Sequence, residues 1–210
     1  MLKGFDVSAF PGVPAMKALR GYFDFVGIYL APAASHPDMS WMQRIGDLRV
    51  LGYKFWPVYV GQQIAGPGSK NDTLPQGTKD GNDAADLMAH AGFKPNDPCY
   101  LDLENGAPFP PAESTYAFSW IAQVRARGYR PGVYCSHVLA PNFDSETTLV
   151  WAFEVPTTRT VLAKLPLSTA DAPPATIPWT GMQYRQNIRL DNVKITVDLD
   201  ATPDALGLAS

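Results

Sequence analysis

The chain alternates short apolar runs with amphipathic stretches, and this alternation restricts the folds open to it. Eight runs are four to eight residues long, rich in Val, Ile, Tyr and Phe, and bounded by Gly, Pro, Asn or Asp. Such runs are typical of strands. The predicted strands are 4–8, 25–30, 54–60, 98–103, 132–136, 149–155, 181–185 and 193–199.

Apolar stripes at helical spacing lie between the earlier runs. One extends from Ala84 to Ala91, a second from Tyr116 to Val124, and a third lies within 40–51. The later connections are weaker: 161–165 is predicted to be at most a short helix, and the Pro- and Ala-rich segment 165–178 is predicted to be a loop.

Alternating strands and helices predict parallel strands joined by right-handed crossovers. Eight strands favour a closed α/β barrel of the TIM-like (β/α)8 type, which usually takes about 250 residues. With 210 residues, we expect one irregular barrel domain over 1–210, with short or missing helices after strands 5–8. An open doubly wound sheet is disfavoured, because the segment 9–12 after the first strand is not a Gly-rich phosphate turn.

The overall composition excludes several classes of protein. The net charge of -3 and the absence of a basic run argue against a nucleic-acid binder, and the 46% apolar content argues against disorder. No run of about 18 apolar residues is present, so no membrane span is expected, and the N-terminus shows no signal peptide. Cys99 and Cys135 are predicted to be two buried free thiols.

The sharpest chemical feature is the pair Asp102 and Glu104 at the end of the fourth predicted strand. Side chains at i and i+2 of a strand face the same way, so both carboxyl groups should point into the barrel mouth. Burying two acids together is costly unless one is protonated or both are hydrogen-bonded. A proton on one acid and a charge on the other is what acid-assisted glycoside hydrolysis requires.

Two more acids end predicted strands, Asp6 in the first and Asp198 in the last. Strands one and eight are neighbours in a closed barrel, so these acids should flank one side of the mouth. Barrel enzymes keep their sites on the face where the strands end. Singly, each aspartate is equally well explained as a turn former or a helix cap.

Aromatic residues and one amide also gather near the strand ends. Sugar rings have apolar faces that pack on aromatic rings, so this set suits a carbohydrate groove; ordinary core filling is the alternative, and it is favoured for Trp56. The candidate sugar-binding residues are Tyr29, Tyr59, Tyr134, Trp151, Gln183 and Tyr184. The loop 61–77 after the third strand is either functional or a surface insertion.

Other chemistries have weaker support. Ser136 and His137 are adjacent but lack the G-x-S-x-G elbow. The three histidines are scattered, and neither H-E-x-x-H nor C-x-x-C occurs, so no metal and no cofactor is expected. Asp80, Asp83 and Asp86 do not match a calcium loop and are predicted to form the solvated start of a helix.

Six short motifs occur together in order: G-F-D-V-S, Y-L-D-L-E, G-V-Y, V-W-A, Q-Y and V-D-L. Their order and spacing, over about 4–200, resemble the family-25 glycoside hydrolases, which are N-acetylmuramidase lysozymes. The resemblance is closer to a related branch of glycoside-hydrolase-like domains of formerly unknown function, through F-W-P-V-Y-V-G-Q-Q, G-N-D-A-A-D-L-M and C-Y-L-D-L-E.

The resemblance implies roles for individual residues. Glu104 matches the general acid, and Asp102 matches its partner, which is either the nucleophile or the group that orients a substrate N-acetyl. Asp6 and Asp198 match the other two acids of the cluster, and Tyr134 matches a tyrosine near the cleaved sugar. The strand rise puts the Cα atoms of Asp102 and Glu104 about 6.7 Å apart, which leaves both retaining and inverting geometries open.

The function expected from these features is hydrolysis of bacterial peptidoglycan, at the cell wall or in another extracellular or periplasmic place. Two alternatives stay open: a catalytically silent glycan-binding barrel and a hydrolase of another polysaccharide. The expected partner is the polysaccharide, with no nucleic acid; no pattern indicates an oligomeric state.

Overall fold

A computed structural model describes residues 1–63, 68–104, 108–145, 147–154 and 159–210. Its strands are β1 (Leu2–Asp6), β2 (Phe25–Tyr29), β3 (Lys54–Tyr59), β4 (Pro98–Leu103), β5 (Arg130–Ser136), β6 (Leu149–Phe153), β7 (Val161–Ala163), β8 (Gly181–Leu190) and β9 (Ile195–Thr202). Its α-helices are α1 (Val13–Leu19), α2 (Ile45–Val50), α3 (Leu74–His90) and α4 (Pro111–Ala126). Short 3₁₀ helices lie at Met42–Arg44, Ala140–Asn142 and Thr169–Asp171.

Eight of the strands close into a barrel, as the alternation predicts. Parallel pairing runs from β1 through β6, β6 then pairs in parallel with β8, and β9 lies between β8 and β1. The prediction of a TIM-like α/β barrel is therefore confirmed.

The direction of the last strand differs from the prediction. β9 is antiparallel to both β8 and β1, because β8 and β9 form a hairpin whose turn has Lys194 at φ 61. A hairpin needs only a tight turn, whereas a parallel return needs a crossover of a dozen or more residues. The mouth of the barrel, where the parallel strands end, is therefore where β9 begins.

The segment 161–165 was predicted to be at most a short helix, and this prediction is wrong. Val161–Ala163 is the strand β7, which pairs in parallel with the outer half of β8, from Ile188 to Leu190. β8 is twice as long as predicted and extends beyond the barrel, so it offers a free edge that a short apolar segment can join.

The helices follow the prediction of an irregular barrel. Only α3 and α4 are long, and the described connections after β5 contain 3₁₀ turns instead of α-helices; α1 and α2 are short as well. α3 begins at Leu74, capped by Thr73, whose hydroxyl accepts the Gln76 N–H at 3.3 Å. The predicted loop 61–77 thus ends earlier than expected. Ile64–Pro67 of that loop, and Val155 of the sixth predicted strand, lie outside the described residues.

Large aromatic side chains fill the lower half of the barrel. The indole rings of Trp56 and Trp151 lie 4.3 Å apart, and Phe25 and Tyr100 pack around them. Gly181 makes room for this packing, since a Cβ there would lie 2.2 Å from the Trp56 ring. The core role favoured for Trp56 is confirmed. The buried aromatic cluster fills the barrel interior below the mouth.

The C-terminal segment closes the opposite end of the barrel. Leu208 packs into the aromatic cluster, Ala209 exchanges backbone hydrogen bonds with Phe55, and the Tyr100 hydroxyl donates to the carbonyl of Gly207. Cys99 and Cys135 are free and buried, as predicted. Among the described residues, no helix is both long and apolar enough to cross a bilayer.

Candidate active site

Two aspartates from neighbouring strands face each other at the barrel mouth. Asp6 ends β1 and is the register partner of Asp198 in β9. Directly opposed residues of an antiparallel pair keep their side chains on one face and close together. The strand closure therefore brings these two acids together, with Asp6 buried and Asp198 half-buried.

The side chain of Gln183, on β8, connects the two aspartates. Its amide nitrogen Nε2 donates to Asp6 Oδ2 at 3.0 Å and to Asp198 Oδ2 at 3.3 Å. Its oxygen Oε1 accepts from the Tyr134 hydroxyl and from Gln186 Nε2, each at 3.0 Å. All four hydrogen-bonding positions of the amide are used, so the orientation of Gln183 is determined by its neighbours.

Asp102 and Glu104 share one face of the end of β4. Asp102 is buried, and its Oδ1 receives no hydrogen bond from the described residues. Burial, then the charge of Glu104, then that of Asp6 raise the pKa of Asp102 well above its ordinary value. Burial and neighbouring negative charge therefore favour the neutral form of Asp102, whereas Glu104 is exposed at the cleft.

The pKa values of the two facing aspartates are also raised. Burial is the main cause for both. Hydrogen bonds from Gln183 and Tyr29 oppose the shift at Asp6, and Tyr29 donates to Asp6 Oδ1 at 3.0 Å. At Asp198, the Asp6 and Glu104 charges add to burial, the backbone N–H of Asn187 opposes them, and the pKa rises to about 7.

These groups line a cleft of about 290 Å³, which includes Asp6, Tyr29, Glu104, Thr196 and Asp198. A larger cavity of about 690 Å³ lies on the outer surface of α3 and α4, and it is lined by neutral side chains. Glycoside hydrolysis needs carboxyl groups at the reacting bond. The smaller cleft is therefore the candidate active site.

The chain matches the family model of the Rv2525c-like, glycoside hydrolase-like domain over residues 17–203. The chain belongs to this family. No curated protein matches the chain. The family assignment agrees with the resemblance drawn from the sequence motifs.

Solved structures of the same fold include three with named sources. The catalytic domain of the endolysin Ply40 from Listeria monocytogenes bacteriophage P40 has a TM-score of 0.68 at 16% identity, and the alignment covers 98% of this chain and 95% of that domain. The Mycobacterium tuberculosis Tat-secreted protein Rv2525c has a TM-score of 0.66 at 14% identity, and the alignment covers 97% of this chain and 96% of that one. The Streptomyces coelicolor lysozyme has a TM-score of 0.64 at 16% identity, and the alignment covers 98% of this chain and 96% of that one. At these identities the likeness establishes the fold.

The predicted aromatic residues of this glycoside hydrolase-like domain occupy three different places. Tyr29 lines the cleft. Tyr134 and Trp151 are buried below the acids, with rings 4.6 Å apart. Tyr59 points outward, where its hydroxyl donates to Asp83 of α3 at 2.9 Å, and Tyr184 packs against the outer core. The structure thus leaves Tyr59 and Tyr184 away from the acid cluster.

Asp200 is a site residue that the sequence reasoning missed. It lies two residues after Asp198 on β9, is fully buried, and accepts a hydrogen bond from Trp151 Nε1 at 3.1 Å. Burial and the neighbouring charges of Asp6 and Asp198 raise its pKa well above the ordinary value. The i, i+2 rule that singled out Asp102 and Glu104 applies equally to Asp198 and Asp200 and was the available signal.

The family domain also contains a buried polar cluster beneath the loop after β3. Asp80 of α3 was predicted to be solvated, but it is 4% exposed. It accepts hydrogen bonds from Gln62 Nε2 at 2.7 Å, Gln76 Nε2 at 2.6 Å and the Tyr116 hydroxyl at 2.8 Å. The helical pattern could not reveal this burial, because two of the three donors come from a loop and from α4, and only Gln76 lies on α3 itself.

Two further residues tie the loops at the mouth to the acid cluster. Gln63 Nε2 donates to the backbone carbonyl of Asp102 at 3.2 Å, which fixes the end of β4. The His36 ring lies 4.9 Å from the Tyr29 ring, and burial lowers the pKa of His36. The sequence showed His36 only as a scattered histidine, since its neighbour is set by the loop after β2.

Proposed function

We propose that this protein is a glycoside hydrolase that acts on bacterial cell-wall peptidoglycan in the manner of a muramidase. The observation that carries the proposal is the contrast between Asp102 and Glu104: one carboxyl group is buried and has a raised pKa, and the other is exposed at the cleft. Two acids in different environments on one strand suit acid-assisted cleavage of a glycosidic bond.

In the proposed reaction, Glu104 is the general acid that protonates the leaving-group oxygen. The raised pKa of Asp102 favours a proton on this residue while the cleft is open to water. A sugar bound over Glu104 removes water from its carboxylate, which favours transfer of the proton to Glu104. Asp102 is then a carboxylate, able to act as nucleophile or to orient the substrate N-acetyl group.

Asp6, Asp198 and Gln183 would form the opposite wall of the sugar site. The charges of Asp6 and Asp198 would stabilise the positive charge that develops on the sugar ring in the transition state. Tyr29 at the cleft surface offers a ring edge and a hydroxyl for sugar binding. Tyr134 and Trp151 would act through the residues they support, since both lie beneath the acids.

The family, together with the lysozyme and endolysin structures that share the fold, supports the proposed substrate class. Peptidoglycan lies outside the cytoplasmic membrane, so we propose the cell wall as the place of action. The secreted Mycobacterium tuberculosis protein of the same fold is consistent with this place.

The test is release of reducing ends from purified peptidoglycan by the wild type and by Glu104→Gln. General acid catalysis contributes about 10²- to 10⁴-fold to a rate, so we expect a loss of that size in the variant. Glu154→Gln is the matched control, because Glu154 is exposed after β6 and lies outside the cleft lining. Mass spectrometry of the products then identifies the sugar at the new reducing end.

Three results would overturn parts of the proposal. Full activity of a folded Glu104→Gln protein would exclude Glu104 as the acid. Binding of the wild type to insoluble cell wall without any release of reducing ends would identify a glycan-binding barrel. Release from another polysaccharide but not from peptidoglycan would change the substrate.

A further inference from the structure

The buried carboxyl group of Asp200 has a contact that the acid–base scheme above does not use. Asp200 on β9 and Asp6 on β1 lie on paired strands, and the charge of Asp6 is one of the causes that raise the pKa of Asp200. Two carboxylates buried side by side repel each other, and a hydrogen bond between them can form only when one of the two carries a proton. A proton on one member of this pair would remove the repulsion.

The neighbours of the pair decide which residue carries this proton. Asp6 already receives a donor at each oxygen, from Tyr29 at Oδ1 and from Gln183 at Oδ2. Asp200 receives one, from Trp151 at Oδ1. Its Oδ2 is buried and receives no N–H or O–H donor from the described residues. Donors stabilise a carboxylate, so the negative charge belongs on Asp6 and the proton on Asp200.

We propose that Asp200 is a positioning residue: a neutral carboxylic acid that donates a hydrogen bond to Asp6 from below and fixes it as a carboxylate facing the cleft. Trp151 holds the Asp200 carboxyl group in this orientation, and Gln183 and Tyr29 complete the set of donors around Asp6. The consequence for turnover rests on the proposed function, whereas the protonation of Asp200 does not.

Several titratable groups face this pair, and each is accounted for. Asp198 lies on the same strand as Asp200, Tyr29 and Tyr134 approach from β2 and β5, and Asp102 and Glu104 lie at the end of β4. Tyr184 packs on the outer side of β8, where the charge of Asp200 adds to the rise of its pKa. The acids add negative charge, which favours a proton in the pair. Burial raises the pKa of all three tyrosines, so they stay neutral and do not compete for that proton.

The two positions differ in their tolerance of an uncharged isostere. In Asp200→Asn, the side-chain oxygen can accept from Trp151, and the amide nitrogen can donate to Asp6, as the protonated acid does. In Asp6→Asn, the amide nitrogen must face a donor, either Tyr29 or Gln183. We expect Asp200→Asn to fold with a Tm close to that of the wild type at about pH 5, and Asp6→Asn to lose several degrees.

The pH dependence of Tm tests the proton directly and needs no activity. The folded-state pKa of Asp200 is raised, so its contribution to stability is present below its unfolded pKa and is lost as the pH rises toward the folded value. Asn does not titrate. The Tm of Asp200→Asn minus that of the wild type should therefore increase from about pH 5 to pH 8, by on the order of 3 °C per pH unit.

Carboxyl ¹³C NMR of the wild type adds a measurement that does not depend on a variant fold. We expect an aspartate signal that stays in the protonated position at about pH 7 and is missing from Asp200→Asn. A constant Tm difference between Asp200→Asn and the wild type, or tolerance of Asn at position 6 but not at position 200, would overturn the proposal.

If the protein hydrolyses peptidoglycan, the activity profile gives an independent readout. If Asp200 is neutral, Asp200→Asn removes no charge, so the low-pH side of the pH–rate curve should lie at the same pH in the variant as in the wild type. If Asp200 is instead ionised, its loss lowers the pKa values of Asp6 and Asp198 and moves that limb to lower pH by about one unit. A protein without turnover would contradict the proposed function and leave the Tm and NMR results to decide the role of Asp200.

Discussion

Asp6 and Asp198 lie directly opposite each other in the β1–β9 pairing, joined by a single amide, that of Gln183. Two directly opposed acids at a largely buried position repel each other when both are charged. The amide nitrogen of Gln183 supplies a donor to each, so one neutral side chain stabilises both acids. This arrangement makes the stability of the barrel mouth sensitive to both Gln183 and pH.

Replacing Gln183 with Met should destabilise the protein and weaken any hydrolysis. Asp6 and Asp198 each lose a donor, and Tyr134 loses its acceptor. A buried polar group left without a partner costs about 1–3 kcal/mol, so we expect a loss of at least that size in urea unfolding. Gln186→Met is the control, since it removes only the contact to Gln183 Oε1. An equal loss in both variants would contradict the central role of Gln183.

Asp198→Asn should change how stability depends on pH. The folded pKa of Asp198 is raised to about 7, above the unfolded value of about 3.9. The stability that it contributes is complete below the unfolded pKa and is lost as the pH rises through about 7. The Tm of Asp198→Asn minus that of the wild type should therefore increase between about pH 4 and pH 7 and stay constant above that range.

Asp191→Asn provides the contrast for this measurement. Asp191 is exposed, and the hydrogen bond and charge of Lys194 lower its pKa. Its contribution is present above the unfolded pKa and is lost as the pH falls. The Tm difference for Asp191→Asn should stay flat between about pH 5 and pH 8, and a rising difference there would show that the effect is not specific to the cluster.

Gly27→Ala should disturb the site from the neighbouring strand. A Cβ at position 27 of β2 would lie 2.6 Å from the Cβ of Asp6 and 3.4 Å from the Trp151 ring. Asp6 cannot move away without breaking its hydrogen bonds to Tyr29 and Gln183, so the strain should reduce stability by about 1–3 kcal/mol and lower hydrolysis.

The matched control for this substitution is Gly46→Ala in α2. A Cβ at position 46 meets nothing within 4 Å, and Ala is favoured over Gly in a helix by about 0.5–1 kcal/mol. We expect unchanged hydrolysis and equal or higher stability. If Gly27→Ala behaves like Gly46→Ala, then the space beside Asp6 is not needed.

Asp80→Asn should destabilise the protein more than Asp86→Asn. Both oxygens of Asp80 accept hydrogen bonds in a buried cluster, so an amide nitrogen there must face a donor, at a cost of about 1–3 kcal/mol. Asp86 is exposed and pairs with Arg127, a contact worth about 0–1 kcal/mol. Similar denaturation midpoints for the two variants would contradict the structural role of Asp80.

The strand prediction succeeded where the pattern is local. The parallel strands from β1 to β6 lie within or close to the predicted runs, because each is a short apolar segment bounded by turn-forming residues. It failed at 161–165, which became β7 by joining the free edge of the long β8. Which edge is available to a short segment depends on the length of a distant strand.

The acid cluster shows the same division. The spacing of Asp102 and Glu104 predicted a shared face, and their order along the chain placed Asp6 and Asp198 at neighbouring strands. The raised pKa values of Asp102 and Asp200, the central position of Gln183 and the burial of Asp80 depend on groups from other strands and helices. Tyr59 and Tyr184 were assigned to the groove because both lie near strand ends. The pattern did not show which face of the strand each side chain occupies.

The sequence by itself determined the alternation of strands and helices, the closed barrel and the acid-bearing strand ends. These depend on the period of apolar residues and on residues close in the chain. The tertiary structure decided the reversed direction of β9 and the environment of each acid. A proton is held or released according to burial and to the donors nearby, and those donors come from strands far apart in the sequence.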